Sequence, residues 1–432
     1  MIPDVLSSQT LETPMFSLQA DSTNIAGLVG VALIFFLVSI YNVKAETGGR
    51  LKPSLYNFFV LLFLTCMLGL LLSYDLFGIF LFVELTIGVS IVLVVHAPGK
   101  LSAEASFKYL VITALSALFV LLGVLIVFVL THNSSIPIIM EHPNSLIENP
   151  NFLIFAVACF VIGIGADIGL VPFHGWVPDV FPASTPVING FFCAEPVAFI
   201  LALIKLVYPF YVVYPSQIIL WLVVGVGLIS MVFGALMAYP QIDFMRMIAY
   251  ATIDEFGHMV FAFGLFTPLS FTAGQIYLVN GSLMKAGVIL CLGSVFIASG
   301  TRDMTKLGGL AGRMKKTAGS YMICALSLAG VPPLSGFYPK WLLYTAVYDF
   351  LLLRVGIFIS VLALISLVFL SIVSLIVLVR AFHLIFLGQP TETLKGVNEV
   401  HWTMWLSTTA LAAVGILVGL YPDLLLSLIR TG

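Results

Sequence analysis

Apolar residues run along this chain in long blocks separated by short polar connections. Twelve blocks reach the roughly 20 residues that an α-helix needs to cross about 30 Å of hydrocarbon. They lie near 24–42, 54–73, 75–97, 109–131, 152–172, 186–208, 217–237, 246–266, 269–298, 318–349, 354–386 and 402–428. The pattern predicts an all-α polytopic membrane protein of about twelve transmembrane (TM) helices. Basic residues in alternate connections set the orientation. With the N-terminus outside, the inside connections hold Lys44, Arg50, Lys52, Lys100, Lys108, Arg246, Arg302, Lys306, Arg313, Lys315, Lys316, Arg380 and Lys395. The outside ends hold Lys205, Arg354 and Arg430, while Lys285 and Lys340 fall within spans. This asymmetry predicts that both termini are outside.

Two blocks are interrupted. The fifth ends in Gly163, Gly165, Gly169 and Pro172; the tenth contains Gly330, Pro332, Pro333, Gly336 and Pro339. Proline removes a backbone donor and glycine loosens the turn, so both blocks predict broken helices. Broken helices at corresponding places in two halves mark inverted-repeat transporters. Blocks two to six and seven to eleven form two five-helix repeats, with the break in the fourth helix of each. An odd helix number inverts one repeat relative to the other. The predicted organisation is an N-terminal tail (1–23), a peripheral first span with its inside connection (24–53), a first repeat (54–208), a second repeat (209–386), and a loop with the last span (387–432). The tail carries Asp4, Glu12 and Asp21 but no Lys or Arg, which argues against a secretory signal or transit peptide and for an exposed tail or cap.

Composition narrows the function. The chain is 61% hydrophobic and 9% charged, against roughly 25% charged residues in soluble domains. A soluble enzyme is excluded; the lipid bilayer is the main solvent, and a multi-pass integral membrane protein is expected. A net charge of −2 gives no reason to expect a nucleic-acid partner. Cys66, Cys159, Cys193, Cys291 and Cys324 form no CxxC pair, so no zinc or iron–sulfur site is signalled, and no cofactor is expected in this chain. Redox chemistry, where present, belongs to a partner. The aromatic residues read as interfacial and lipid-facing packing.

Against this apolar background the ionisable residues inside spans stand out. Charge in hydrocarbon is costly, and such residues usually pair or line a wet interior. Glu84 lies mid-span, Asp167 at the first break and Glu195 in the sixth block. Asp254, Glu255 and His258 share the eighth, Lys285 is central to the ninth, and Lys340 sits at the second break. One such residue is as readily a structural anchor as a functional group. Spread over both repeats, they predict a polar track in which buried lysines and carboxylates exchange protons. Gly165 and Pro172 at the first break, and Gly330, Pro332, Pro333 and Gly336 at the second, are the hinges that free backbone groups to solvate ions at mid-membrane. His174 and Asp179, after the first break, are expected to cap or tie down the loop. Glu104 and Lys108 read as solvated loop charges.

Four segments resemble one family: "IGIGADIGLVPFHGWVPDVFPASTPV", "QIDFMRMIAYATIDEFGHM", "YLVNGSLMKAGVILCLGSVF" and "SLAGVPPLSGFYPKW". They are similar, in order and spacing over about residues 54–386, to the antiporter-like membrane subunits of respiratory complex I, energy-converting membrane-bound hydrogenases and Mrp-type cation/proton antiporters. The resemblance implies two inverted five-helix repeats, proton or sodium movement, and association with other antiporter-like and small membrane subunits. It assigns Glu84 as the family glutamate that pairs with a lysine, Lys285 as the lysine of the "HxxNHxxxKA" pattern, and Lys340 as the terminal channel residue.

The departures are as specific as the matches. Asp167 and Val197 stand where the family has lysines, and Tyr277 and Gly281 where it has histidines. Asp243 and Arg246 keep the "DxKR" turn, with Met245 between them. Glu195, Asp254 and Glu255 are additional acids, and the family's first two helices have no counterpart. Three readings stay open: a carboxylate-rewired ion path, a path active only in the second half, or a degenerate structural spacer. The leading expectation is an ion-translocating subunit of a complex I-like, redox-driven assembly such as an energy-converting hydrogenase, with iron–sulfur subunits as partners. The alternative is a subunit of a stand-alone Mrp-type antiporter. A major-facilitator carrier is disfavoured, because the basic loop after its second helix is replaced here by Ser73, Tyr74 and Asp75.

Overall fold

The structure is a computed structural model that describes residues 11–13, 16–20, 22–45, 49–389, 394 and 396–430. Asp4, Asp21 and Lys395 lie outside the described residues. The chain opens with a small antiparallel hairpin, β1 (Leu11–Thr13) and β2 (Phe16–Leu18). Leu18 bridges to Ser73, and the Gln19 N–H donates to the Leu72 carbonyl, so the segment predicted as a cap closes over an interhelical turn.

Helices make up nearly everything else. The first half comprises α1 (Ser22–Ala45), α2 (Pro53–Leu72), α3 (Leu76–His96), α4 (Lys100–Thr131), the short α5 (Ile136–Glu141) and α6 (Asn144–Glu148), α7 (Pro150–Asp167), α8 (Val177–Ala183), α9 (Pro186–Phe192) and α10 (Glu195–Val213). The second half comprises α11 (Gln217–Ala238), α12 (Phe244–Gly264), α13 (Pro268–Ser299), α14 (Lys315–Ala329), α15 (Phe337–Val355) and α16 (Ile357–Phe382); α17 (Trp402–Leu420) and α18 (Asp423–Arg430) follow. Ten spans among the described residues are long and apolar enough to cross a membrane, α9 and α10 together forming one of them. The other two of the twelve predicted blocks are α12, whose apolar character Asp254, Glu255 and His258 dilute, and the split pair α14 and α15.

Several boundaries differ from those expected. Helix α4 begins at Lys100, so Glu104 and Lys108 lie on its first turns and form an i,i+4 ion pair at 3.1 Å rather than sitting in a loop. Such spacing places side chains on one helix face. The last block divides at Pro422, which cannot continue a helical hydrogen-bond ladder.

Connections predicted for one side of the membrane meet one another. On the basic face, Arg302 donates to the Pro182 carbonyl, Arg313 to that of Leu394, Arg50 to that of Gly99, and Arg380 to those of Tyr239 and Gln241. On the opposite face, Arg354 reaches Gln217, and Lys205 donates to the carbonyls of Leu71 and Ser73. These pairings fit an even number of spans.

The two breaks share a backbone plan. Helix α7 stops at Asp167 and is followed by Gly169 (φ 78°) and a cis Val171–Pro172 bond. Helix α14 stops at Ala329 and is followed by Gly330 (φ 84°) and a cis Pro332–Pro333 bond. Left-handed φ favours glycine at both stops. Gly336 is needed for a different reason: a Cβ there would collide with the Ser327 backbone.

Helices α11 and α12 approach backbone to backbone. A Cβ on Gly227 would lie 2.6 Å from the Phe261 nitrogen, and Gly234 and Gly257 face Asp254 and Met231 in the same way. Small residues permit such close packing in lipid, where apolar burial alone does not drive association. This contact fixes the rotation of α12, and with it the direction of its acids.

Candidate functional site

In the second half, two of the acids on α12 and the lysines of α13 and α15 converge. The Lys285 ammonium lies 2.8 Å from Glu255 Oε2, and both side chains are buried. Removing two such charges from water costs several kcal/mol per ion, which is offset only by close pairing. The Phe256 ring covers the same ammonium, with its centroid 4.0 Å from Nζ. Asp254 Oδ2 accepts from the Ser374 hydroxyl at 2.6 Å, and Asp254 Oδ1 lies 3.1 Å from His258 Nδ1. Lys340, one turn into α15, donates to the Ala329 carbonyl at 3.0 Å. It thus sits on the carbonyl end of α14, where the helix dipole favours a cation. Asp254, Glu255, Tyr277, Lys340 and Ser374 line one small internal chamber. His258 is held by Asp254 and lies outside that wall.

In the first half, Asp167, Glu195, Trp176, Val177, Phe181 and Phe256 line a second internal chamber. Tyr109 points its hydroxyl at Glu195 Oε1 (3.4 Å), exchanges a hydrogen bond with Ser90 (3.0 Å), and stacks on Trp176 with centroids 4.2 Å apart. The last carbonyls of α7 are satisfied by neutral donors: Ser116 to Gly163, the Leu170 N–H to Gly165, and the Trp176 indole to Ala166. The Val171 N–H is tied to Ser230 on α11. Asp167 lies at this carbonyl end, and neither of its oxygens has a hydrogen-bond partner. Among the described residues, no ion pair reaches Glu84, Asp167 or Glu195.

The short helix α8 separates the first chamber from the basic face. Val177 and Phe181 face the chamber, whereas Asp179, Pro182 and Ala183 line a wide surface cavity with Lys108, Arg246 and Arg302. Asp179 pairs with Lys108 at 2.9 Å and Arg246 at 3.7 Å, which ties the post-break segment down. His174 packs on Phe233, with centroids 4.4 Å apart. Beyond the membrane-spanning helices, donations from Thr305 hold the Asp303 carboxyl below the usual carboxylate range.

The structure therefore groups the predicted residues in two sets: Glu84, Asp167 and Glu195, and then Asp254, Glu255, His258, Lys285 and Lys340. Glu84 is half-buried on α3 and lines neither chamber. Tyr109, Ser374 and Phe256 were not singled out in the sequence. Their only signals were hydroxyls in apolar blocks and an aromatic beside an acid.

Long apolar helices, two broken helices and an internal array of acids and lysines define a multi-pass membrane protein with a polar interior. Residues 73–366 match the family described as NADH:quinone oxidoreductase/Mrp antiporter, TM, and the chain belongs to that family. It is an integral membrane protein of the prokaryotic cell membrane. It is 30% identical over 419 residues to the Na(+)/H(+) antiporter subunit A1 of Staphylococcus aureus (strain JH9), covering 92% of this chain and 51% of that protein. The chain thus spans about half the length of the relatives it matches. Its fold is shared with a chain of the Mrp complex from Dietzia sp. DQ12-45-1b (TM-score 0.85, 23% identity, 98% of this chain and 85% of that one). It is also shared with a chain of an archaeal membrane-bound sulfane sulfur reductase (TM-score 0.85, 24% identity, 96% and 82%).

Proposed function

We propose that this chain is the ion-translocating, antiporter-like subunit of a multi-subunit membrane complex, working with other antiporter-like and small membrane subunits. The observation that carries the proposal is the buried Glu255–Lys285 pair beside a chamber that also holds Asp254 and Lys340. A buried ammonium against a carboxylate exchanges a proton with little motion, and Lys340 at a broken-helix terminus gives the proton a second stop. Glu84, Asp167 and Glu195 extend the path into the first half as carboxylates. They suit protons and also sodium, which takes hard oxygen ligands.

The assembled complex, purified with this subunit and reconstituted in liposomes, tests the proposal. Proton movement should fall to background in Lys285→Ala and Lys340→Ala with the complex intact. Undiminished movement in both variants would overturn it. Two assemblies fit this role. A stand-alone cation/proton antiporter is favoured by the identity to a Na(+)/H(+) antiporter subunit, whereas a redox-driven complex follows from the family alone. Iron–sulfur subunits in the purified complex would select the second.

A further inference from the structure

The two chambers are lined by neighbouring residues of α12. Phe256 is in the wall of the chamber that holds Asp167 and Glu195, and its neighbour Glu255 is in the wall of the chamber that holds Asp254 and Lys340. Consecutive helical residues point about 100° apart, so α12 divides the two spaces with Phe256 turned to one and Glu255 to the other. Lys285 reaches this dividing line from α13. Its ammonium touches the Glu255 carboxylate on one side and the Phe256 ring face on the other.

We propose that Phe256 is the gate between the two chambers, and that the Lys285 ammonium crosses to the Glu195 side when the ring turns aside. This rests on the proposed role of the chain in ion movement. The ring does two things in the closed position. Its face attracts the ammonium and holds it against Glu255. Its body fills the gap with hydrocarbon, through which a bare charge passes only at high cost. With the ring displaced, the ammonium transfers one proton to the Glu195 carboxylate, leaving a neutral amine and a neutral carboxylic acid. The amine returns and takes one proton from the Lys340 ammonium, which shares the chamber of Glu255 and is left a neutral amine. One proton has then moved between chambers, and no other group is consumed. Tyr109 and Ser90 hold Glu195 in place to receive it.

The test uses the intact complex in liposomes under an imposed pH difference, read by a pH-sensitive dye, with assembly checked by subunit content. Phe256→Ala removes the hydrocarbon plug and should raise passive proton leak about tenfold, because a barrier lowered by roughly one factor-of-ten step is the least that losing the ring should cause. Phe256→Trp fills the gap further and should cut coupled proton movement to the level of Lys285→Ala while leak stays at the wild-type value. Phe256→Leu, which keeps an apolar plug without the ring face, should keep leak low. A merely structural ring would lower stability in Phe256→Ala and Phe256→Leu alike without the leak. Wild-type leak in Phe256→Ala together with wild-type coupling in Phe256→Trp would overturn the gate. Because Lys285→Ala is measured in parallel, that result is distinguishable from failure of the translocation reading, which would leave Lys285→Ala active.

Discussion

The two broken helices end in opposite electrostatic circumstances. At the second break, Lys340 places a cation on the Ala329 carbonyl, where the C-terminal end of α14 attracts positive charge. At the first break, Asp167 stands at the C-terminal end of α7, where the same dipole repels an anion, and Ser116, Trp176 and backbone N–H groups occupy the carbonyls instead. The surroundings repeat the contrast. Glu255 has Lys285 beside it, whereas among the described residues no ion pair reaches Glu84, Asp167 or Glu195; Glu195 meets the Tyr109 hydroxyl, and it shares with Asp167 a cavity lined by Trp176, Phe181 and Phe256. The backbone plan is shared and the charge plan is not. The second half therefore holds its acids by pairing. The first half carries its acids without such pairing: neither Asp167 oxygen has a hydrogen-bond partner, and Glu195 meets the Tyr109 hydroxyl at 3.4 Å.

The largest effects should come from breaking the pair. Lys285→Ala strands the Glu255 carboxylate and should cost about 3–5 kcal/mol of stability, measurable as a drop in the thermal midpoint of the detergent-solubilised complex. The double variant Lys285→Met with Glu255→Gln removes both charges, and should recover most of that stability while leaving proton movement at background. If the double variant is as unstable as the single one, packing and not charge holds this half.

Lys340→Ala comes next. It removes one charged hydrogen bond, worth about 1.5–3 kcal/mol, and leaves the Ala329 carbonyl for Gly330 and its neighbours to satisfy. Proton movement should be lost, while the Glu255–Lys285 pair remains. By contrast, Asp167→Asn and Glu84→Gln in the first half preserve shape and remove no ion pair. Stability should stay within about 1 kcal/mol of wild type, and coupled movement should fall only if the first half conducts. Wild-type movement in both variants would restrict the path to the second half.

The positions of these groups were partly visible in the sequence. Lys285, Lys340 and the acids stand out because charge is rare in an apolar block, and the breaks because Gly and Pro cluster there. Asp167 and Val197 likewise announced a first half without its lysines. Partners were not visible. Membrane helices are apolar on most faces, since lipid and protein interior are equally apolar. No stripe in α4 reveals that Tyr109 turns toward Glu195, and none in α16 that Ser374 turns toward Asp254. Those choices depend on helix rotation, which is set by distant contacts such as the glycine seam between α11 and α12. The same limit hid Phe256, whose place in the wall of the chamber of Asp167 and Glu195 follows only once α12 is oriented. It also made Glu104 and Lys108 read as loop charges, because the apolar block starts later than the helix does.

The smallest expected effect separates the halves at the basic face. Helix α8, which walls the first chamber, is held there by side-chain ion pairs from Asp179 to Lys108 and Arg246, all partly exposed. Helix α14 is held at the same face by Glu399, which accepts from the Lys316 N–H (2.8 Å) and the Thr317 hydroxyl (2.6 Å). A carboxylate at a helix N-terminus is a fixed cap in addition to a charge. Exposed ion pairs contribute about 0.2–1 kcal/mol and are screened by salt. Asp179→Asn should therefore lower the thermal midpoint slightly at low salt, and the difference from wild type should vanish near 1 M salt. Glu399→Gln should cost about 1 kcal/mol, and most of that loss should persist in high salt because the lost bonds are short and directional. Equal salt sensitivity in the two variants would mean that both broken helices are secured by surface charge alone, and the contrast between the halves would then be confined to their interiors.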